Sequence, residues 1–115
     1  MSVATHKLSD MKNIGFIGRS RDDLRAFPKD IRQLAGYQLI LMQMGETPKG
    51  SKPMSRVGKG CVELIINGHG VWFRVLVAPT VDADTIWVLH CFQKKTNTTP
   101  VSDIRLGQTR YRQIG

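Results

Sequence analysis

Residues 61–92 read CVELIINGHGVWFRVLVAPTVDADTIWVLHCF, and their reading decides the fold. Three runs rich in β-branched and aromatic residues are separated by turn signals. CVELII leads into NGHG, and Asn-Gly is the strongest short hairpin signal in the chain. VWFRVLVA runs back until Pro79, which has no N–H for a ladder, ends it. VDADT turns the chain again, and IWVLHCF forms a third strand. Together they predict an antiparallel meander.

Side chains alternate across a strand, so each run feeds two faces. Val71, Phe73, Val75 and Val77 form a uniformly apolar set that must meet helices. Trp72, Arg74, Leu76 and Ala78 form the other, which places Arg74 in mid-strand on the more open face. Its guanidinium either snorkels to water or meets an anion. In IWVLHCFQKK, Ile86, Val88, His90, Phe92 and Lys94 share one parity; Trp87, Leu89, Cys91, Gln93 and Lys95 share the other. The strand is expected to fray before the lysines. Lys94 and Lys95 leave at the end of the sheet where the hairpin turns. Arg56 and Lys59 enter at the opposite end, with Arg74 the bridge between the two groups along the open face.

Upstream, KNIGFIG predicts a short strand ended by Gly18. In SRDDLRAFPKDI, Ser20 is a candidate N-cap for a turn whose Asp22 and Asp23 suit the positive end of a helix dipole. Pro28 opens a longer helix that Gly45 closes. ETPKGSKPMSRVGKG is a loop carrying Lys49, Lys52, Arg56 and Lys59 against the single acid Glu46. Downstream, TPVSDIRLGQTRYRQI predicts a C-terminal helix capped by Ser102 or Thr99, with Gly107 weakening its middle. Residues 1–11 read as a polar tail and 12–115 as one domain. Helices gathered before an antiparallel meander predict an α+β fold: the N-terminal helices pack on one face of a small, mainly antiparallel sheet, the other face is open, and a short helix ends the chain.

The chain has 115 residues and a formal charge of +8, from 17 basic and 9 acidic residues. That balance favours a polyanionic partner such as nucleic acid, an acidic membrane face or an acidic protein. No apolar run is long enough to span a bilayer, and MSVATHKLSDMK lacks the apolar core of a signal peptide; the expected location is cytoplasmic. Cys61 and Cys91 stand outside any CxxC or Cys/His spacing and read as small buried hydrophobes rather than a zinc site. No phosphate-binding glycine motif, catalytic triad or pair of catalytic carboxylates is present. Glu63 is a strand carboxylate among apolar neighbours, suited to pair with an Arg or Lys. His69 reads as a turn residue, and His90 as a packing histidine or a proton-transfer group.

DLRAFP, GYQLILMQMGETP, KPMSRVGKGCVELI, WFRVLVA and IWVLHCFQKKTNTTPVSDI occur in this order over roughly residues 12–112. The ordered set resembles the RelE/ParE toxin superfamily, in its HigB-like, phage-derived branch. The resemblance implies a microbial-RNase-like RelE fold and a ribosome-dependent endoribonuclease that cuts mRNA during translation. It implies a cognate helix-turn-helix antitoxin as partner, and neither cofactor, metal nor small-molecule substrate. Family toxins use clustered basic residues on the sheet. Arg74 matches the arginine of the middle meander strand, Lys94 and Lys95 the basic pair after the last, and Arg56 and Lys59 the basic loop before the first; Lys52 is a further phosphate contact in that loop. Arg74, Lys94, Lys95 and His90 are the expected catalytic group, with Lys94 the chemical group and Lys95 a phosphate contact. Ile65 departs from the pattern, because related toxins often carry a basic residue directly after the EL pair. Two other readings are a ParE-like gyrase inhibitor and a module that binds RNA or antitoxin without cutting.

Overall fold

The computed structural model describes residues 11–114, so nearly all of the expected 1–11 tail lies outside the described residues. The elements are β1 (Asn13–Phe16), α1 (Ser20–Arg25), α2 (Lys29–Gln43), β2 (Lys52–Pro53), β3 (Val62–Gly68), β4 (Val71–Ala78), β5 (Thr85–Lys94) and α3 (Val101–Arg112). They form one five-stranded sheet in the order β1-β5-β4-β3-β2. β3, β4 and β5 are the meander that residues 61–92 predict. β1 pairs in parallel with β5, and every other pairing is antiparallel.

The hairpin turns two residues later than the Asn-Gly dipeptide. Asn67 and Gly68 belong to the end of β3, and the two corner residues are His69 (φ 57°) and Gly70 (φ 67°). Positive φ at both is what a type I′ turn requires. His69 is an unusual host for that conformation, and its ring is anchored 2.9 Å from the Asp30 carboxylate at the start of α2.

α1 and α2 cover one face, as the Val71–Val77 set demands. Phe73, Val75 and Val77 pack with Leu64, Ile66, Ile86 and Val88 of the sheet and with Ile31, Ala35, Leu39 and Met42 of α2. The second face is not open. α3 folds back over it, and Leu76, Ala78, Leu89, Phe92 and Ile104 form a second buried cluster with Val57 and Cys61. Gly107 makes that approach possible: a Cβ there would lie 3.0 Å from a Leu76 methyl and 3.2 Å from Val57. The glycine that weakens the helix in isolation therefore lets it dock.

Strict alternation fails on β5. Leu76 pairs with His90 but Val77 pairs with Val88, leaving Leu89 as an extra residue in a bulge. Ile86 and Val88 accordingly face α2 with Cys91, while Trp87 and Leu89 join Phe92 on the α3 side. The bulged Leu89 carbonyl accepts a hydrogen bond from the buried Arg110 Nη1 at 2.9 Å.

The expected caps are only partly used. Ser20 is buried and donates its hydroxyl to the Val88 carbonyl at 3.0 Å, riveting α1 to β5 instead of capping. Gly45 (φ 86°) does close α2: its N–H reaches the Met42 carbonyl and that of Glu46 the Leu41 carbonyl, a Schellman pair. α3 starts behind Pro100 without a side-chain cap, so neither Thr99 nor Ser102 has that role. Cys61 and Cys91 are free and lie in the two separate clusters on opposite sides of the sheet.

Candidate nucleic-acid interface

The register of the meander stacks the second face in rows. Glu63, Leu76 and His90 form one, Ile65, Arg74 and Phe92 the next, and Asn67, Trp72 and Lys94 the last, nearest the hairpin. Arg74 and Lys94 therefore sit on adjacent strands and adjacent rows. Lys52, the β2 partner of Glu63, adds a third cation at the sheet edge.

Arg74 and Lys94 are buried, at 6% and 5% exposure, which corrects the expectation of a solvated open face. Arg74 Nη1 donates to Asn67 Oδ1 and to the Phe73 carbonyl, both at 2.9 Å, and its Nε lies 3.9 Å from Glu63 Oε1. Lys94 Nζ donates to the Asn97 carbonyl at 2.9 Å and to Thr99 Oγ1 at 3.3 Å; Thr99 in turn donates to Glu63 Oε2 at 2.8 Å. The strand does not fray before the lysines, because β5 runs through Lys94 and the 95–99 loop folds over its amine. Two cations thus share one carboxylate inside the protein. Burial holds the Lys94 amine below the ordinary lysine value; Glu63 opposes that shift, while Arg74 and Lys52 add to it. Burial likewise lowers Arg74, with Glu63 opposing.

His90 is also withdrawn from the surface. Its Nε2 lies 2.7 Å from Asp103 Oδ1 at the start of α3, and its ring stacks on Phe92 with centroids 4.7 Å apart. It fastens α3 to the sheet. Arg56 and Lys59 are exposed at the far end of the sheet, where their carbonyls accept hydrogen bonds from Gln108 at 2.7 Å and Tyr111 at 3.3 Å. The structure does not bring them to Arg74 and Lys94. Tyr111 is half-buried beside that loop, its ring against Gly58. Among the described residues no cluster of His, Cys, Asp or Glu is arranged to hold a metal ion.

Lys95 remains exposed. With Asn67, Trp72, Gln93 and Lys94 it lines a cleft of about 500 Å³ beside the hairpin. Asn67, Trp72 and Gln93 are site residues that the sequence reading left out. The pairing of Trp72 with Lys94 was their only signal, and it needs the bulged register to be seen.

The structure is similar to that of the E. coli toxin RelE, solved in its free state as a double arginine-to-alanine mutant. The TM-score is 0.62 over 90% of this chain and 98% of that one, at 10% identity. Among curated proteins no sequence matches. The model of the phage-derived Gp49-like protein family matches residues 22–112. With that span, the chain belongs to the phage-derived Gp49-like family, and its fold is that of RelE.

Proposed function

We propose that this protein is the toxin of a type II toxin–antitoxin system and a metal-independent endoribonuclease that cuts mRNA on translating ribosomes in the cytoplasm. A helix-turn-helix antitoxin is its partner. The observation that carries this reading is that Arg74 and Lys94 stand in adjacent rows of one face, with Lys52 opposite Glu63 and close enough to act on the Lys94 amine, and Lys95 exposed on the cleft beside Lys94. In the reaction the RNA 2′-oxygen attacks the adjacent phosphorus, its proton passes to Lys94 in the fraction whose amine is unprotonated, a fraction that burial and like charge raise, and the 5′-oxygen leaves with a proton from water. A cyclic phosphate remains. Lys94 suits the base role because burial and like charge lower its proton affinity. Lys95 contacts phosphate. Arg74 stabilises negative charge from beneath the cleft and holds Asn67 in place.

Purified protein added to programmed ribosomes tests this. Lys94→Ala is expected to slow mRNA cleavage about 10²–10⁴-fold, the range for loss of a general base. Lys95→Ala is expected to weaken binding and reduce the salt dependence by roughly 0.7 of a log unit per tenfold salt. Thermal melts must show both variants folded. Unchanged cleavage in the two variants would sink the assignment.

One observation favours a second reading, a module that holds RNA or an acidic antitoxin without cutting. The Lys94 amine is held by the 95–99 loop, Arg74 by Asn67, Phe73 and Glu63, His90 by Asp103, and Ile65 stands where a basic residue is common. RNA binding without cleavage product on translating ribosomes selects it. A supercoiling assay on the same preparation tests ParE-like gyrase inhibition.

A further inference from the structure

The chain has two tryptophans, and the structure uses them differently. Trp87 is committed to the fold: its indole N–H donates to the Asp82 carboxylate, and its ring lies so close over Gly15 that a Cβ there would clash with it. Trp72 is half-buried at the cleft and, among the described residues, has no side-chain hydrogen bond. A buried indole N–H usually finds a partner; that of Trp72 is not among the buried unpaired atoms of the described residues and is open at the cleft. Trp72 instead presents part of an aromatic surface to a cleft that Asn67, Gln93, Lys94 and Lys95 share with Gly68, Gly70 and Val71.

The groups around it are complementary in kind. Asn67, directly across on β3, has its Oδ1 occupied by the Arg74 guanidinium at 2.9 Å. That contact fixes the amide, so its amine is the part left to donate. Lys94, directly across on β5, has its amine turned back to the Asn97 carbonyl. Lys95, the next residue, is exposed and, among the described residues, makes no side-chain hydrogen bond or ion pair, so it supplies a cation to the cleft. An aromatic face, an oriented amine and a lysine therefore meet in about 500 Å³, a volume within the usual range for a small-ligand site.

From this we infer that Trp72 is the stacking platform for one unpaired base of single-stranded RNA, with the Asn67 amine donating to an acceptor on the base edge and Lys95 on the flanking phosphate. The inference rests on the RNA-binding reading above and adds the strandedness and the residue that senses it. A base in a duplex already has both faces covered by its neighbours, whereas an unstacked base offers its face to an aromatic side chain.

The test uses the full chain and a fluorescently labelled single-stranded RNA hexamer, with dissociation constants from anisotropy at fixed salt. Trp72→Ala is expected to weaken binding about 5–150-fold, the range for loss of one base–aromatic stack. Its salt slope should stay at the wild-type value, because stacking releases no counterions. Trp72→Phe, which keeps a ring and guards against a folding defect, should recover most of the affinity. A duplex of the same sequence should bind at least about tenfold more weakly. Equal affinity of wild type and Trp72→Ala, equal weakness of the Phe and Ala variants, or equal binding of duplex and single strand would each overturn the stacking role while leaving RNA binding in place. Wild-type protein that binds no RNA overturns the functional reading, and the stack with it.

Discussion

Replacing Glu63 by leucine is expected to destabilise the protein by about 3–5 kcal/mol, the usual cost of stranding a buried charge. Glu63 is 2% exposed and is the only acidic side chain in contact with the Arg74–Lys94 centre among the described residues. Leucine fills a similar volume but leaves the Arg74 guanidinium without its carboxylate and the Thr99 hydroxyl without its acceptor. Domains of this size are stable by only about 5–15 kcal/mol, so the variant should be close to unfolding. Urea melts check the loss through the midpoint. A triple variant, Glu63→Leu with Arg74→Met and Lys94→Met, should recover most of it, because replacing a whole buried ionic group with apolar residues is often neutral or better. A single variant within about 1 kcal/mol of wild type would mean the centre is hydrated and its charges are cheap.

Alkaline solution is expected to unfold the protein through its two cysteines. Burial pushes Cys61 up to about 11 and Cys91 up to about 12, from an ordinary 9.0, with Asp23 adding to the shift at Cys91. Above pH 9 the unfolded chain releases both thiol protons while the folded chain keeps them. The folded state then binds more protons, and stability falls as pH rises. Two protons give a slope of about 2.7 kcal/mol per pH unit, roughly 5 kcal/mol by pH 11. Lys94 acts in the opposite direction: its lowered value makes the unfolded state hold the extra proton below 10.5, so its term rises with pH. Two thiols outweigh one amine. Chemical denaturation at pH 8, 9, 10 and 11 should show the decline, and Cys61→Ala with Cys91→Ala should flatten it. An unchanged slope in that double variant would place the cause elsewhere.

Much of this architecture was legible from local chemistry. The Pro79 stop, the Gly45 stop and the apolar parity of Val71–Val77 each have a short-range cause and appear where expected, and the hairpin falls within NGHG, two residues past its Asn-Gly. Glu63 was recognisable as a carboxylate needing a cation, and Arg74 lies within 3.9 Å of it. The rest depended on long-range packing. Nothing near β5 announces the extra residue at Leu89, whose carbonyl is satisfied by Arg110 from α3. The burial of Arg74, Lys94 and His90 follows from α3 and the 95–99 loop folding back, and alternation within one strand carries no information about what covers a face. Arg56 and Lys59 matched in residue type, but the length of β3 keeps them at the far end of the sheet.

The strand order also has a direction in time. β3 and β4 pair as neighbours in the chain, but Asn13 must wait for Thr85, and the outer edge of β4 stays bare until β5 exists. Such distant pairings carry a large loop-closure cost and close late. The ionic centre waits longer still, since Glu63 is bridged to Lys94 through Thr99. A growing chain that ends before residue 99 therefore lacks the bridge that joins Glu63 to Lys94.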